Sequence, residues 1–150
     1  MRSTRAETGV PLDAPAAVSL WTDVGRWASF VEGFAHAVEI SPDWPAEGSK
    51  VVWQSTPDGR GRVTEKALES SATHFRTRVF EEALIGEQTV TAFVGPNGTR
   101  VALELSYELA QGGPMGAVKD MLFIRSALRD ALGRTLRRFR VEAEEEAGLR

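Results

Sequence analysis

The chain of 150 residues contains no cysteine, one tyrosine and only two histidines. The first absence excludes disulfides, thiolate metal sites and a cysteine nucleophile, and it fits a reducing compartment better than an oxidising one. The two histidines, His36 and His74, fall in different segments without a second ligand at metal-binding spacing, so no metal site is expected. Long apolar runs are also missing. The longest late one, Met121 to Ile124, is far too short to span a bilayer, and Met1 to Pro11 does not read as a secretion signal, so the expected location is cytoplasmic without stable membrane insertion. There is no nucleophile elbow, Walker loop or dinucleotide fingerprint, and no cofactor is expected. Net charge is −3, and the arginines of the last third are answered by acids after Arg140, which argues against a nucleic-acid partner.

What is present reads as one globular domain over 1–150, since 42% apolar and 26% charged residues at this length support a real core. Residues 4–11 form a polar candidate strand. Asp13-Ala14-Pro15 then opens a short helix, because the aspartate can accept orphan amide hydrogens and proline there has no N–H to waste. A second short helix begins near Asp23, with Val24, Trp27, Phe30 and Val31 on one stripe.

From residue 34 the period changes from helical to alternating. Pro57-Asp58-Gly59 and Pro96-Asn97-Gly98 supply hairpin chemistry, and weaker breaks fall at Pro42 to Gly48, Ser70 to Ala72 and Ile85-Gly86. They delimit strands at about 34–41, 48–56, 60–69, 73–82, 87–95 and 99–110. Connections this short join antiparallel neighbours, which gives a meander. After Gly112-Gly113-Pro114 a helix runs toward Gly148, with Val118, Met121, Leu122, Leu128, Leu132, Leu136 and Phe139 on one stripe. The acid run Glu142 to Glu146 opposes the helix dipole, and fraying is expected there.

The fold class that follows is α+β: a seven-stranded curved antiparallel sheet wrapped on a long C-terminal helix, with two short helices after the first strand. The chain resembles the START/Bet v 1-like superfamily of polyketide cyclase/dehydrase and lipid-transport proteins. The resemblance rests on Asp13-Ala14-Pro15-Ala16-Ala17-Val18 with Trp21, on Asp23 and Trp27, on Gly98-Thr99-Arg100-Val101, and on Gly113-Pro114-Met115-Gly116 before the last helix. It implies a helix-grip fold and a hydrophobic small-molecule ligand such as a lipid, quinone or polyketide-like compound. Carriers, receptors and cyclases share this scaffold, so function has to be argued from the site.

Inward positions of the strands and the helix stripe give the candidate ligand contacts: Trp53, Val63, Phe75, Leu103, Leu105, Tyr107, Met121 and Leu122. Two residues could handle protons. Glu65 shares a face with Val63 and Ala67, so it points inward if the valine does; the alternative is a wet face or pairing with Arg76 or Arg78. Tyr107 either presents its hydroxyl to a ligand or is a core tyrosine bonded to backbone. Trp44 reads as a rim residue or a loop anchor, and His36 as a residue near the mouth. Leu128, Leu132 and Leu136 are expected where the sheet covers the helix most fully, with Met121 and Leu122 at a more open wall. Without a catalytic constellation, binding is expected ahead of cyclase, dehydratase or hydrolase chemistry, and a packed interaction module is a third possibility. Oligomeric state is open.

Overall fold

A computed structural model describes residues 2–57, 59–109 and 117–150, with the side chains of 117–123 excepted. The first strand, β1 (Arg2–Val10), leads into α1 (Ala14–Thr22). Asp13 caps that helix, its carboxylate accepting from the Ala16 amide at 2.8 Å. Asp23 repeats the device, accepting from the Gly25 amide at 3.1 Å to start a 3-10 turn, Val24–Arg26, that continues as α2 (Trp27–Phe30).

Six strands follow: β2 (Phe34–Ile40), β3 (Lys50–Ser55), β4 (Arg62–Ser70), β5 (His74–Phe80), β6 (Leu84–Gly95) and β7 (Gly98–Leu109). All neighbours are antiparallel, and the sheet order is β1-β7-β6-β5-β4-β3-β2. The sheet is open, with β1 at one edge, where β7 returns to pair with it, and β2 at the other. The long helix α3 (Ala117–Gly148) completes the seven-stranded helix-grip arrangement.

Two features depart from the sequence reading. Ile85-Gly86 is not a break, because β6 begins at Leu84 and runs through both residues. Gly86 is there for proximity: a Cβ on it would lie 2.3 Å from the Ser106 carbonyl oxygen and 3.2 Å from Tyr107 Cα. Nor does the acid run unwind α3. Arg26 reaches across from the 3-10 turn to bond Glu142 at 2.8 Å and Glu146 at 3.0 Å, so a tertiary cation replaces the one the helix end lacks.

Alternation decides which residues face α3. Val51 and Trp53 of β3, Val63, Glu65 and Ala67 of β4, Phe75, Thr77 and Val79 of β5, and Val101, Leu103, Leu105 and Tyr107 of β7 are all buried. Among the described residues of α3 the buried set is Leu132, Thr135, Leu136, Phe139, Glu142 and Ala143, on one helical face.

Aromatic rings tie the short helices to this interior. Phe139 packs edge-on against Trp21 at 5.2 Å and Phe30 at 5.1 Å. A second series runs Trp53, Phe34, Trp27, Trp44, Phe75, each step between 5.4 and 6.0 Å. Trp44 donates its indole N–H to the Thr22 carbonyl at 2.9 Å, so it anchors the β2–β3 loop to the end of α1.

Candidate functional site

Between the concave sheet and α3 lies a cavity offering about 70 Å³ in which the centre of a water molecule can sit. That is room for roughly five waters, or for a compact group of about one ring. Leu84, Leu103 and Leu105 wall it from the sheet, while Leu128, Ala131, Leu132 and Thr135 wall it from α3. Trp21, Trp27, Val31 and Glu32 close one side, so the short helices and the turn after them form part of the rim. Arg60, Glu65 and Gln88 supply the remaining polar groups among the described residues.

Glu65 is 6% exposed. Its Oε2 accepts a hydrogen bond from the Trp53 indole N–H at 2.8 Å, and its Oε1 accepts from the Thr77 hydroxyl at 3.3 Å. Both donors are neutral. Removal from water raises the Glu65 pKa above the ordinary carboxylate value, against the opposing influence of the Trp53 bond, the Arg60 charge and the Thr77 bond. The group thus holds its proton to higher pH than an exposed carboxyl, and either protonation state can serve a ligand: the acid donates, the carboxylate accepts.

Arg60 is held rather than free. Its Nε donates to Glu81 Oε2 at 2.5 Å, and its guanidinium carbon stands 5.0 Å from the centre of the Trp53 ring. At the rim, the Glu32 carboxylate accepts from Arg134 Nε at 3.1 Å and Arg138 at 2.8 Å, and its backbone N–H donates to the Thr135 hydroxyl at 3.1 Å. These contacts fasten the turn after α2 to α3.

The sequence candidates separate into four groups. Glu65, Leu103 and Leu105 line the cavity. Trp53 stands behind Glu65 as its hydrogen-bond donor, while Val63 and Phe75 are buried in the surrounding core. Tyr107 is 1% exposed, and its hydroxyl has no partner among the described residues. It is not among the described lining residues. The side chains of Met121 and Leu122 lie outside the described residues. The arginines offered as partners for Glu65 are engaged elsewhere or outside: Arg76 pairs with Glu69 and Glu87, and Arg78 is exposed. His36 is exposed, and His74 contacts Glu69 and Thr91 on the outer side of the sheet.

Leu128 and Leu132, expected with Leu136 where the sheet covers the helix most fully, lie on the cavity wall. Gln88 and Arg60 were not anticipated. For Gln88 a signal existed, since Leu84, Gly86, Gln88, Val90 and Ala92 share one face of β6, but a strand begun at 87 hides that series. For Arg60 there was none, because a hairpin loop has no periodicity to read.

No family model matches this chain, and no curated protein matches it. Solved structures do. The di-domain ARO/CYC StfQ from the steffimycin biosynthetic pathway superposes with a TM-score of 0.77 at 13% identity, covering 97% of this chain and 51% of that one. The Zhui aromatase/cyclase from Streptomyces sp. R1128 gives 0.72 at 16% identity, over 95% and 93% of the two chains. A START superfamily protein from Mycobacterium smegmatis gives 0.74 at 11% identity, over 95% and 97%. The chain therefore has the START-like, helix-grip fold that these structures share. At these identities the likeness is one of fold, and the site has to speak for the ligand. No helix among the described residues is long and apolar enough to cross a membrane.

Proposed function

We propose that this chain binds a largely apolar, uncharged small molecule in the cavity between the sheet and α3, with Glu65 as the polar contact that orients it. The observation that carries the reading is a leucine- and tryptophan-lined hollow whose wall includes a buried carboxyl group bonded only to neutral donors. Burying an apolar ligand there releases water from leucine and tryptophan surface. A charged ligand gains less, because Arg60 is already paired with Glu81 and Glu32 with two arginines. Lipid, quinone and polyketide-like compounds are the ligand classes this reading admits, in so far as a compact portion of each fits the hollow.

Native mass spectrometry of the purified protein, with ligand extraction, tests this directly. Ala131→Phe on α3 fills the hollow and should lower affinity for an extracted ligand at least about tenfold while the thermal melt stays close to wild type. Retained affinity would put the ligand elsewhere.

A second reading is favoured by one observation, the burial of the Glu65 carboxyl at a cavity wall, which raises its pKa. A carboxyl group so placed can protonate a carbonyl or accept a proton from a neighbouring carbon, which is the chemistry a cyclase or dehydratase needs. In that case Glu65→Gln should abolish turnover while leaving ligand affinity within about threefold.

A further inference from the structure

A second concavity lies on another flank of α3, and its chemistry is the opposite of the hollow's. It is an open groove offering about 460 Å³ in which the centre of a water molecule can sit, lined by Ser3, Thr4 and Arg5 of β1 and by Arg125, Ser126 and Arg129 of α3. No acidic side chain lines it among the described residues. Thr4 and Arg5 are neighbours in a strand and point to opposite faces of the sheet. A groove lined by both therefore straddles the free edge of β1, the strand at one end of the sheet order.

The guanidinium groups here are left in a different state from those farther along the helix. Arg134 and Arg138 share the Glu32 carboxylate, and Arg140 bonds Glu144 at 3.2 Å. No carboxylate among the described residues pairs with Arg125 or Arg129. These two stand four residues apart, a spacing at which like charges repel and weaken a helix. Arg5 gives one nitrogen to Glu7 at 2.9 Å, and Glu7 also serves Arg100 at 2.9 Å, so that single carboxylate already answers two cations. Positive charge is thus left over in one concavity, at a cost to the helix. A separate observation points to an oxygen-bearing ligand. Thr4 lines the groove while only 6% exposed, and no hydrogen bond from a described residue holds its hydroxyl. A buried hydroxyl without a partner is costly, and an acceptor arriving in the groove relieves that cost.

We infer that this groove is an anion site and that it takes a phosphate monoester, carried by a soluble molecule or by a lipid headgroup. Glu32 shows that two arginines suffice for one carboxylate in this protein. Three guanidinium groups with the hydroxyls of Thr4 and Ser126 offer more charge and more donors than a carboxylate can use. A phosphate monoester carries nearly two negative charges and three acceptor oxygens, and the planar guanidinium fork matches it in bidentate fashion. The groove is separate from the cavity that Glu65 lines, and the inference stands whether or not that cavity binds a ligand.

Calorimetric titration at fixed ionic strength with glycerol 3-phosphate and with acetate tests it, alongside cosedimentation with phosphatidylcholine vesicles that contain or lack phosphatidic acid. Wild type should bind one phosphate probe about tenfold more tightly than acetate, and whichever of glycerol 3-phosphate and phosphatidic acid is held more tightly identifies the source. Arg125→Gln combined with Arg129→Gln should lower that affinity at least about tenfold. The thermal melt should not move, because both positions are exposed and glutamine suits a helix. Either single substitution provides the same comparison should the double variant misfold. Arg137→Gln, at an exposed position of the same helix outside the groove, should leave affinity within about twofold. Failure of both phosphate probes to bind, or a loss in Arg137→Gln as large as in the groove variants, overturns the site. Acetate held as tightly as the better phosphate probe overturns its preference for phosphate.

Discussion

The C-terminal part of α3 and its middle meet the same sheet and solve the contact differently. Toward the C-terminus, Phe139 is fully buried between Trp21 and Phe30, Ala143 is fully buried as well, and Arg26 closes the end by pairing with Glu142 and Glu146. Around Leu128 to Thr135 the helix instead faces a hollow whose wall carries Glu65 and Gln88. The aromatic end is packed to completion, with rings at edge-to-face distances. The middle of the helix faces polar groups in an incompletely filled interior, an arrangement that costs stability and that the proposed ligand site would account for. One continuous helical stripe is thus packed core along part of its length and cavity wall along another.

The sharpest way to break the comparison is a pair of truncations on α3. Phe139→Ala removes a fully buried ring from the closed end and should lower unfolding free energy by about 3–5 kcal/mol in urea denaturation. Leu132→Ala enlarges a hollow that already exists, so its cost should fall near the bottom of the range of about 2–5 kcal/mol, with a measurable change in ligand affinity besides. Equal costs without any effect on binding would erase the distinction between the two stretches of the helix.

Gly86→Ala comes next. Its Cβ would stand 2.3 Å from the Ser106 carbonyl oxygen, a backbone atom that can yield only by moving β7. Strain of this kind costs about 1–3 kcal/mol. Because Gly86 adjoins Gln88 and Tyr107, ligand affinity should weaken along with the melting temperature.

Glu65→Gln gives a pH-dependent effect. Burial holds the folded-state pKa of Glu65 above the ordinary 4.5, so the carboxyl's contribution to stability is complete below that value and is lost as pH rises through the raised one. Arg60 and Glu81 are the nearby charges that modulate it. Glutamine still accepts from the Trp53 N–H but cannot ionise. The variant should therefore gain on wild type as pH climbs from 4.5 toward neutrality and show no pH-dependent difference below it, read from thermal melts across that range. Parallel curves would mean that Glu65 is not desolvated.

The smallest expected effect is at the hairpin beside the closed end. Gly98 has φ +113°, a conformation L side chains rarely adopt, and it pairs with Gly95 across the Pro96-Asn97 turn. Gly98→Val should lower stability by roughly 1 kcal/mol or more and leave ligand affinity untouched. A change in binding there would connect the closed end to the cavity.

The sequence by itself determined the order of elements, the antiparallel meander and the inward faces, because these depend on local periodicity, capping residues and short connections. Asp13 and Asp23 cap as their neighbours predict, and the alternation that buries Val63 buries Glu65 with it. Three things were left to tertiary structure. Whether Gly86 breaks a strand or lies within one depends on how closely β7 approaches, a distance with no sequence signature. Whether Glu142 and Glu146 fray α3 depends on Arg26, more than a hundred residues away in the chain. Whether Leu132 is core or cavity wall, and whether Gln88 and Arg60 share a site with Glu65, depends on how far the sheet curves around the helix. That curvature is a sum of small twists and contacts over seven strands, and no single stretch of residues encodes it.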